Sequence, residues 1–129
     1  MIVDDNHDII TMVKKGLEHL SQDYEVIPLD SGKKCLDFLN THELPDLIIL
    51  DIMMPEMDGW ETVNKIKERP AWGHIPVVFL TAKTDEQTKK QSKFVSADFI
   101  EKPIKIPDLK DRIELVMNMT FNLDSEPYS

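Results

Sequence analysis

Two four-residue runs constrain this chain more than anything else in it: "LIIL" at 47–50 and "VVFL" at 77–80. Neither alternates with polar residues. A strand with one wet face alternates at every second position, so an unbroken apolar run marks a strand covered on both faces. Such strands belong to parallel sheets sandwiched between helices. "MIV" (1–3) is a third short apolar run, and "YEVIPL" (24–29) and "DFIE" (98–101) also read as strands. Pro28 cannot donate to a ladder, which sends its strand to an edge. The amphipathic segments between supply the cover. "HDIITMVKKGLEHL" (7–20) sets Ile9, Val13, Leu17 and Leu20 on one helical face. A helix through "KKCLDFL" takes Ser31 as its N-cap. "GWETVNKIKER" (59–69) is helical and stops before Pro70, and "DEQTKKQSKF" (85–94) is a polar helix with few apolar anchors. "IPDLKDRIELVMNM" (106–119) is a last helix with Leu109, Ile113, Leu115 and Val116 inward.

These five β–α units in order predict an α/β fold. It is a doubly wound, flavodoxin-like parallel sheet of five strands, order 2-1-3-4-5, with helices on both faces. With 129 residues the chain has room for one domain, at 1–119, followed by an acidic tail or linker at 120–129 that is expected to fray. The first strand is short for a central one, which leaves room for residues upstream. Lys and Arg number 15 against 24 Asp and Glu, a net charge of −9. Phosphate backbones and anionic lipid reward clustered positive charge, so neither nucleic acid nor a membrane surface is an expected partner. No apolar stretch is long enough to span a bilayer. The lone Cys35 cannot pair internally and reads as a buried thiol in a reducing, cytoplasmic setting. Trp60 and Trp72 read as packing residues and His7 as exposed.

The polar residues fall at telling positions. Asp4 and Asp5 follow "MIV", Asp51 follows "LIIL", Thr81 follows "VVFL" and Lys102 follows "DFIE". Each sits at the carboxyl end of an expected strand, where open α/β sheets bind ligands at the point of reversal in strand order. Two carboxylates about 4 Å apart repel by roughly 4 kcal/mol at an effective dielectric near 20. Lys102 offsets part of this. An all-oxygen set without Cys or His suits Mg²⁺, which shares its shell with water and phosphate. An acidic cluster beside a hydroxyl and an ammonium therefore suggests phosphoryl chemistry.

"IVDDN", "LIILDIMMPEMDGWE", "VVFLTAK" and "DFIEKP" together resemble the signature segments of response-regulator receiver domains of two-component signalling. The resemblance covers residues 1–119 and implies a role for each matching position. Asp51 would accept a phosphoryl group from a sensor histidine kinase or phosphotransfer protein. Asp5, Asp51 and the Met53 carbonyl would bind Mg²⁺ directly, and Asp4 through water. Lys102 would pair with Asp51 and then with the phosphoryl oxygens. Thr81 would turn inward to the phosphoryl group, helped by backbone N–H groups near Met53 and Ala82. Phe99 occupies the place of an aromatic switch, and Lys102–Pro103 is expected to be cis. Met53 and Lys83 stand where the family tunes phosphoryl lifetime. Output to a downstream effector would leave through strand 77–80, helix 85–94, strand 98–101 and helix 106–119. Homodimerisation on activation would use the same face.

Three rival readings differ at identifiable points. An aspartate-nucleophile phosphatase usually carries a second acid two residues after the nucleophile, where this chain has Met53. A pseudo-receiver scaffold would not need Asp4, Asp5, Asp51, Thr81 and Lys102 together. A flavodoxin-like cofactor carrier wants a phosphate-binding loop after the first strand, where acids stand here. The expectation is a switch, not a turnover enzyme.

Overall fold

A computed structural model describes residues 1–82 and 98–125, with 119–125 described by backbone alone. Its elements run β1 (Ile2–Val3), α1 (His7–Leu20), β2 (Pro28–Leu29), α2 (Gly32–Thr41), β3 (Ile48–Asp51), α3 (Gly59–Lys67), β4 (Val77–Thr81), β5 (Asp98–Glu101) and α4 (Ile106–Ser125). The strands form one sheet in the order β2-β1-β3-β4-β5, and every pairing is parallel. The helix expected over 85–94, and Lys83, lie outside the described residues.

The apolar runs are continuous because successive side chains feed two different cores. Val3, Ile48, Leu50, Val77 and Phe79 pack with Cys35 and Leu39 of α2 and Val63 and Ile66 of α3. Ile2, Ile49, Val78 and Leu80 pack with Val13 and Leu17 of α1 and Leu109 and Ile113 of α4. Cys35 is buried, and desolvation pushes its thiol up to about 12, so it is an inert packing group. Trp72 is buried with the Arg69 guanidinium 4.4 Å above its ring, and Trp60 packs against the first core.

Three helices start on side-chain caps. Asn6 accepts from the N–H groups of Asp8 and Ile9, Ser31 from that of Lys34, and Asp58 from that of Glu61. Each cap follows shortly after a strand's carboxyl end or its loop, so the helix starts are fixed close to the candidate site.

The expected strand over 24–29 is reduced to Pro28–Leu29. Among the described residues it pairs only with β1, whose Ile2 and Val3 take Pro28 and Leu29 as register partners; the Ile27 and Leu29 carbonyls face β1, so the backbone groups of Val26 face the open edge. The Val26 N–H donates to Glu18 Oε2 at 2.8 Å, and its carbonyl accepts from Lys14 Nζ at 2.9 Å. The i,i+4 pair Lys14–Glu18 thus satisfies backbone groups that face away from β1. Pro28 lies on the edge strand, as its missing donor requires. Two inward assignments fail. Leu20, at the last turn of α1, is 46% exposed, and Leu115 of α4 is 51% exposed, while Leu109 and Ile113 are buried. The apolar stripe is narrower than the run of apolar residues. α4 also continues past Met119 to Ser125.

Candidate functional site

The sheet brings the singled-out residues together through its register. Asp51 is opposite Leu80, so Thr81 stands one position beyond it, and Thr81 is opposite Glu101. The N–H of Lys102 donates to the Thr81 carbonyl at 2.7 Å, which hooks the end of β5 over β4. Lys102–Pro103 is cis. On the other side, the N–H of Asp4 donates to the Leu29 carbonyl at 3.1 Å, which fixes the end of β1.

Lys102 Nζ lies 3.0 Å from Asp4 Oδ2 and 3.3 Å from Asp51 Oδ1. The pairing with Asp51 was the one implied by the resemblance; the shorter contact is to Asp4. Carboxylate oxygens of Asp4, Asp5 and Asp51 lie within 4.8 Å of one another. Asp4 is 0% and Asp51 3% exposed, while Asp5 is open to solvent. Burial, then the charge of Asp4, push the Asp51 carboxyl up to about 6, against the opposing pull of Lys102 and of the Met53 N–H. Burial disfavours the Lys102 ammonium, but hydrogen bonding and charge from Asp4 and Asp51 outweigh it and hold this group above the ordinary lysine range.

The cluster fits a hard divalent cation on three counts. Among the described residues three carboxylates face one ammonium, which leaves negative charge in excess. Asp4 Oδ1 accepts from the N–H of Asn6 at 2.9 Å, but the buried Oδ2 makes no well-aligned hydrogen bond despite its nearness to Lys102. A buried acceptor in that state is costly unless a cation or water completes it. The donors are all oxygen, as Mg²⁺ requires.

Thr81 is buried at the end of β4 and Ala82 is exposed beside it. Met53 is 74% exposed, and its backbone N–H reaches the Asp51 carboxylate. Phe99 is half-buried in β5, packed against the first core. His7 is exposed, with Nε2 3.2 Å from Asp30 Oδ2, and so takes no part in the acidic cluster.

Reading the sequence missed three residues that build the site through backbone. Asn6 both caps α1 and donates its own N–H to Asp4; an Asn directly before a helical pattern is its signal. Gly59 starts α3 with its N–H on the Ile52 carbonyl at 2.8 Å. A Cβ there would lie 2.5 Å from the Asp51 carbonyl oxygen and 2.7 Å from Ile52 Cα, so only glycine lets α3 approach. Glu56 centres a three-residue turn, with φ at 67° and the N–H of Met57 on the Pro55 carbonyl at 2.7 Å. That region is strained for a residue with a Cβ.

The model of the response regulator receiver domain family matches residues 1–114. The chain belongs to this family. Among curated relatives, a probable cyclic di-GMP phosphodiesterase of Vibrio cholerae is 41% identical over 114 residues, 88% of this chain and 25% of that protein. Among solved structures, the V. cholerae chemotaxis protein CheY4 has a TM-score of 0.81 at 29% identity, covering 89% of this receiver domain and 94% of that chain. The signal receiver domain of a signal transduction histidine kinase from Syntrophus aciditrophicus has a TM-score of 0.80 at 31% identity, covering 99% and 92%. The receiver domain spans between 9% and 25% of the length of three curated relatives that it matches. Among the described residues no helix is long and apolar enough to cross a membrane.

Proposed function

We propose that this receiver domain is a phosphorylation-operated signalling switch with Asp51 as its acceptor. The donor is the phosphohistidine of a sensor histidine kinase or of a phosphotransfer protein. One observation carries the reading: a buried carboxylate at the end of a central strand, 3.3 Å from Lys102 Nζ and clustered with Asp4 and Asp5.

In the transfer step an Asp51 oxygen forms a bond to phosphorus. The phosphorus–nitrogen bond of the donor breaks, and its electron pair returns to the imidazole. Lys102, already held as an ammonium between two carboxylates, moves its charge onto the phosphoryl oxygens. Thr81 donates its hydroxyl to one of them, and the N–H groups of Met53 and Ala82 serve the others. Asp5, Asp51 and the Met53 carbonyl would hold Mg²⁺ directly, and Asp4 through water. When bound, Mg²⁺ supplies charge that offsets carboxylate repulsion and balances the phosphoryl group.

Only the phosphorylated site rewards an inward Thr81, and that differential interaction biases Phe99 between outward and inward positions. The response reaches a downstream effector, or a second copy of the chain, through the face built on β4, β5 and α4. The protein acts in the cytoplasm and turns over no external substrate.

Incubation with acetyl phosphate and Mg²⁺, followed by intact-mass measurement, tests this. One phosphoryl adduct per chain is expected, dependent on the metal and absent from Asp51→Asn. A wild-type chain that stays unmodified, or an adduct of equal yield on the variant, would sink the proposal.

A further inference from the structure

A line of packing leads from the acceptor's own backbone through the ring pair Trp60–Phe79 to Phe99, the register partner of Phe79. It begins at Gly59, which has no slack: its N–H is bonded to Ile52, and its Cα rests where a Cβ would strike Asp51 and Ile52. The first turn of α3 therefore cannot shift independently of the Asp51–Ile52 backbone. The next residue is Trp60. Its ring lies on that of Phe79, with centroids 4.5 Å apart and planes inclined at 48°. Phe79 is fully buried in β4, and its register partner in β5 is Phe99. Register partners in a parallel pair point to the same face. Trp60 and Phe99 both pack, half-buried, on the core cluster that contains Phe79.

We infer that Trp60 is a positioning residue for Phe99. It braces Phe79, which forms the inner wall against which Phe99 seats. It also ties that wall to the Asp51 loop by a route separate from Thr81. Close-packed interiors transmit displacement, because a buried ring cannot yield unless its neighbours do. Inclined aromatic pairs hold a preferred geometry. When phosphorylation adjusts the Asp51–Ile52 backbone, the start of α3 moves with it, the support under Phe79 changes, and so does the seat of Phe99. The inference rests on the reading of Phe99 as the switch and adds to it the residue that shapes its inward position.

A double-mutant cycle on the full chain tests the link. Beryllofluoride with Mg²⁺, a mimic of the phosphoryl group, is titrated calorimetrically into wild type, Trp60→Leu, Phe99→Ala and the double variant. Thermal melts confirm that each is folded. Trp60→Leu is expected to change the apparent affinity at least threefold when Phe99 is present and less than 1.5-fold when it is Ala. Trp60→Phe, which keeps a ring on Phe79, is expected to restore most of the wild-type value. If Trp60→Leu melts without cooperativity, Trp60→Met takes its place in the cycle. Equal effects in both Phe99 backgrounds would overturn the inference while leaving the switch reading intact. Failure of wild type to bind the mimic at all would overturn the switch reading and this inference with it.

Discussion

At the scale of single residues, the buried pair Asp4 and Asp51 carries a cost that depends on pH. Burial and the neighbouring Asp4 charge raise Asp51 in the folded chain to about 6 from 3.8. Between those values the folded state holds more protons than the unfolded one, so stability falls as pH rises through this window and the cost is fully present above it. Asp51→Asn removes the charge while keeping the shape. In metal-free buffer at pH 7.5 it should therefore raise stability, by about 3 kcal/mol, and the gain should vanish near pH 4; urea unfolding at the two pH values measures this. Lys102→Met acts in the opposite sense. It strips the ammonium from two carboxylates within 3.3 Å and leaves Asp4 buried without a counter-charge. Loss of one partner of a buried pair costs about 3 kcal/mol, so the variant should unfold earlier at pH 7.5, with the deficit shrinking as pH falls through the raised Asp51 value. Asp4, Asp51, Thr81 and Lys102 were legible in the sequence because each stands at the carboxyl end of a strand-like run. Asn6 and Gly59 were not, because their work lies in a backbone N–H and a missing Cβ. A spacing pattern records side chains, and neither contribution is one.

At the scale of elements, α3 and β3 meet through a contact that only glycine permits. Gly59→Ala would place a methyl group 2.5 Å from the Asp51 carbonyl oxygen, with backbone rather than a movable side chain in the way. Overpacking of this kind costs about 1–3 kcal/mol. The expected outcome is a lower urea midpoint together with slower acetyl phosphate labelling, since the acceptor loop must shift to admit the methyl group. A loss of stability with unchanged labelling would mean that α3 moves instead of the loop. The elements themselves were largely readable. The unbroken runs in β3 and β4 needed two covered faces, and the helices supply them as two separate cores. The edge was harder. "YEVIPL" has strand composition, yet β1 offers it only two register partners, and Lys14 and Glu18 of α1 hold the outward-facing backbone groups of Val26. Local propensity does not record how far the partner strand reaches, so the strand was overestimated in length. The same limit explains Leu20 and Leu115. Periodicity names the apolar positions, but only the reach of the neighbouring layer decides which of them are covered.

At the scale of the whole molecule, a parallel sheet closed on both faces leaves its strand ends as the place where polar groups from distant segments can gather. Here they gather as an excess of negative charge on a chain that already carries −9. Folding thus works against two electrostatic terms: a diffuse one that any salt screens, and a local one at Asp4, Asp5 and Asp51 that only a tightly held cation relieves. The two can be separated by melting the protein in Mg²⁺ and in NaCl of equal ionic strength. Screening alone would raise the melting temperature alike in both. A specific site adds a saturable gain of about 2.7 kcal/mol at a hundredfold excess over the dissociation constant. For a domain of this size that corresponds to a rise on the order of 10 °C. Asp51→Asn should lose most of the saturable part and keep the screening part, because it removes one oxygen donor and one charge from the cluster but leaves the rest of the acidic surface unchanged. Equal melting curves in the two salts would mean that the buried oxygen of Asp4 is satisfied by something other than a divalent cation, and the metal-binding role proposed for the cluster would fall with it.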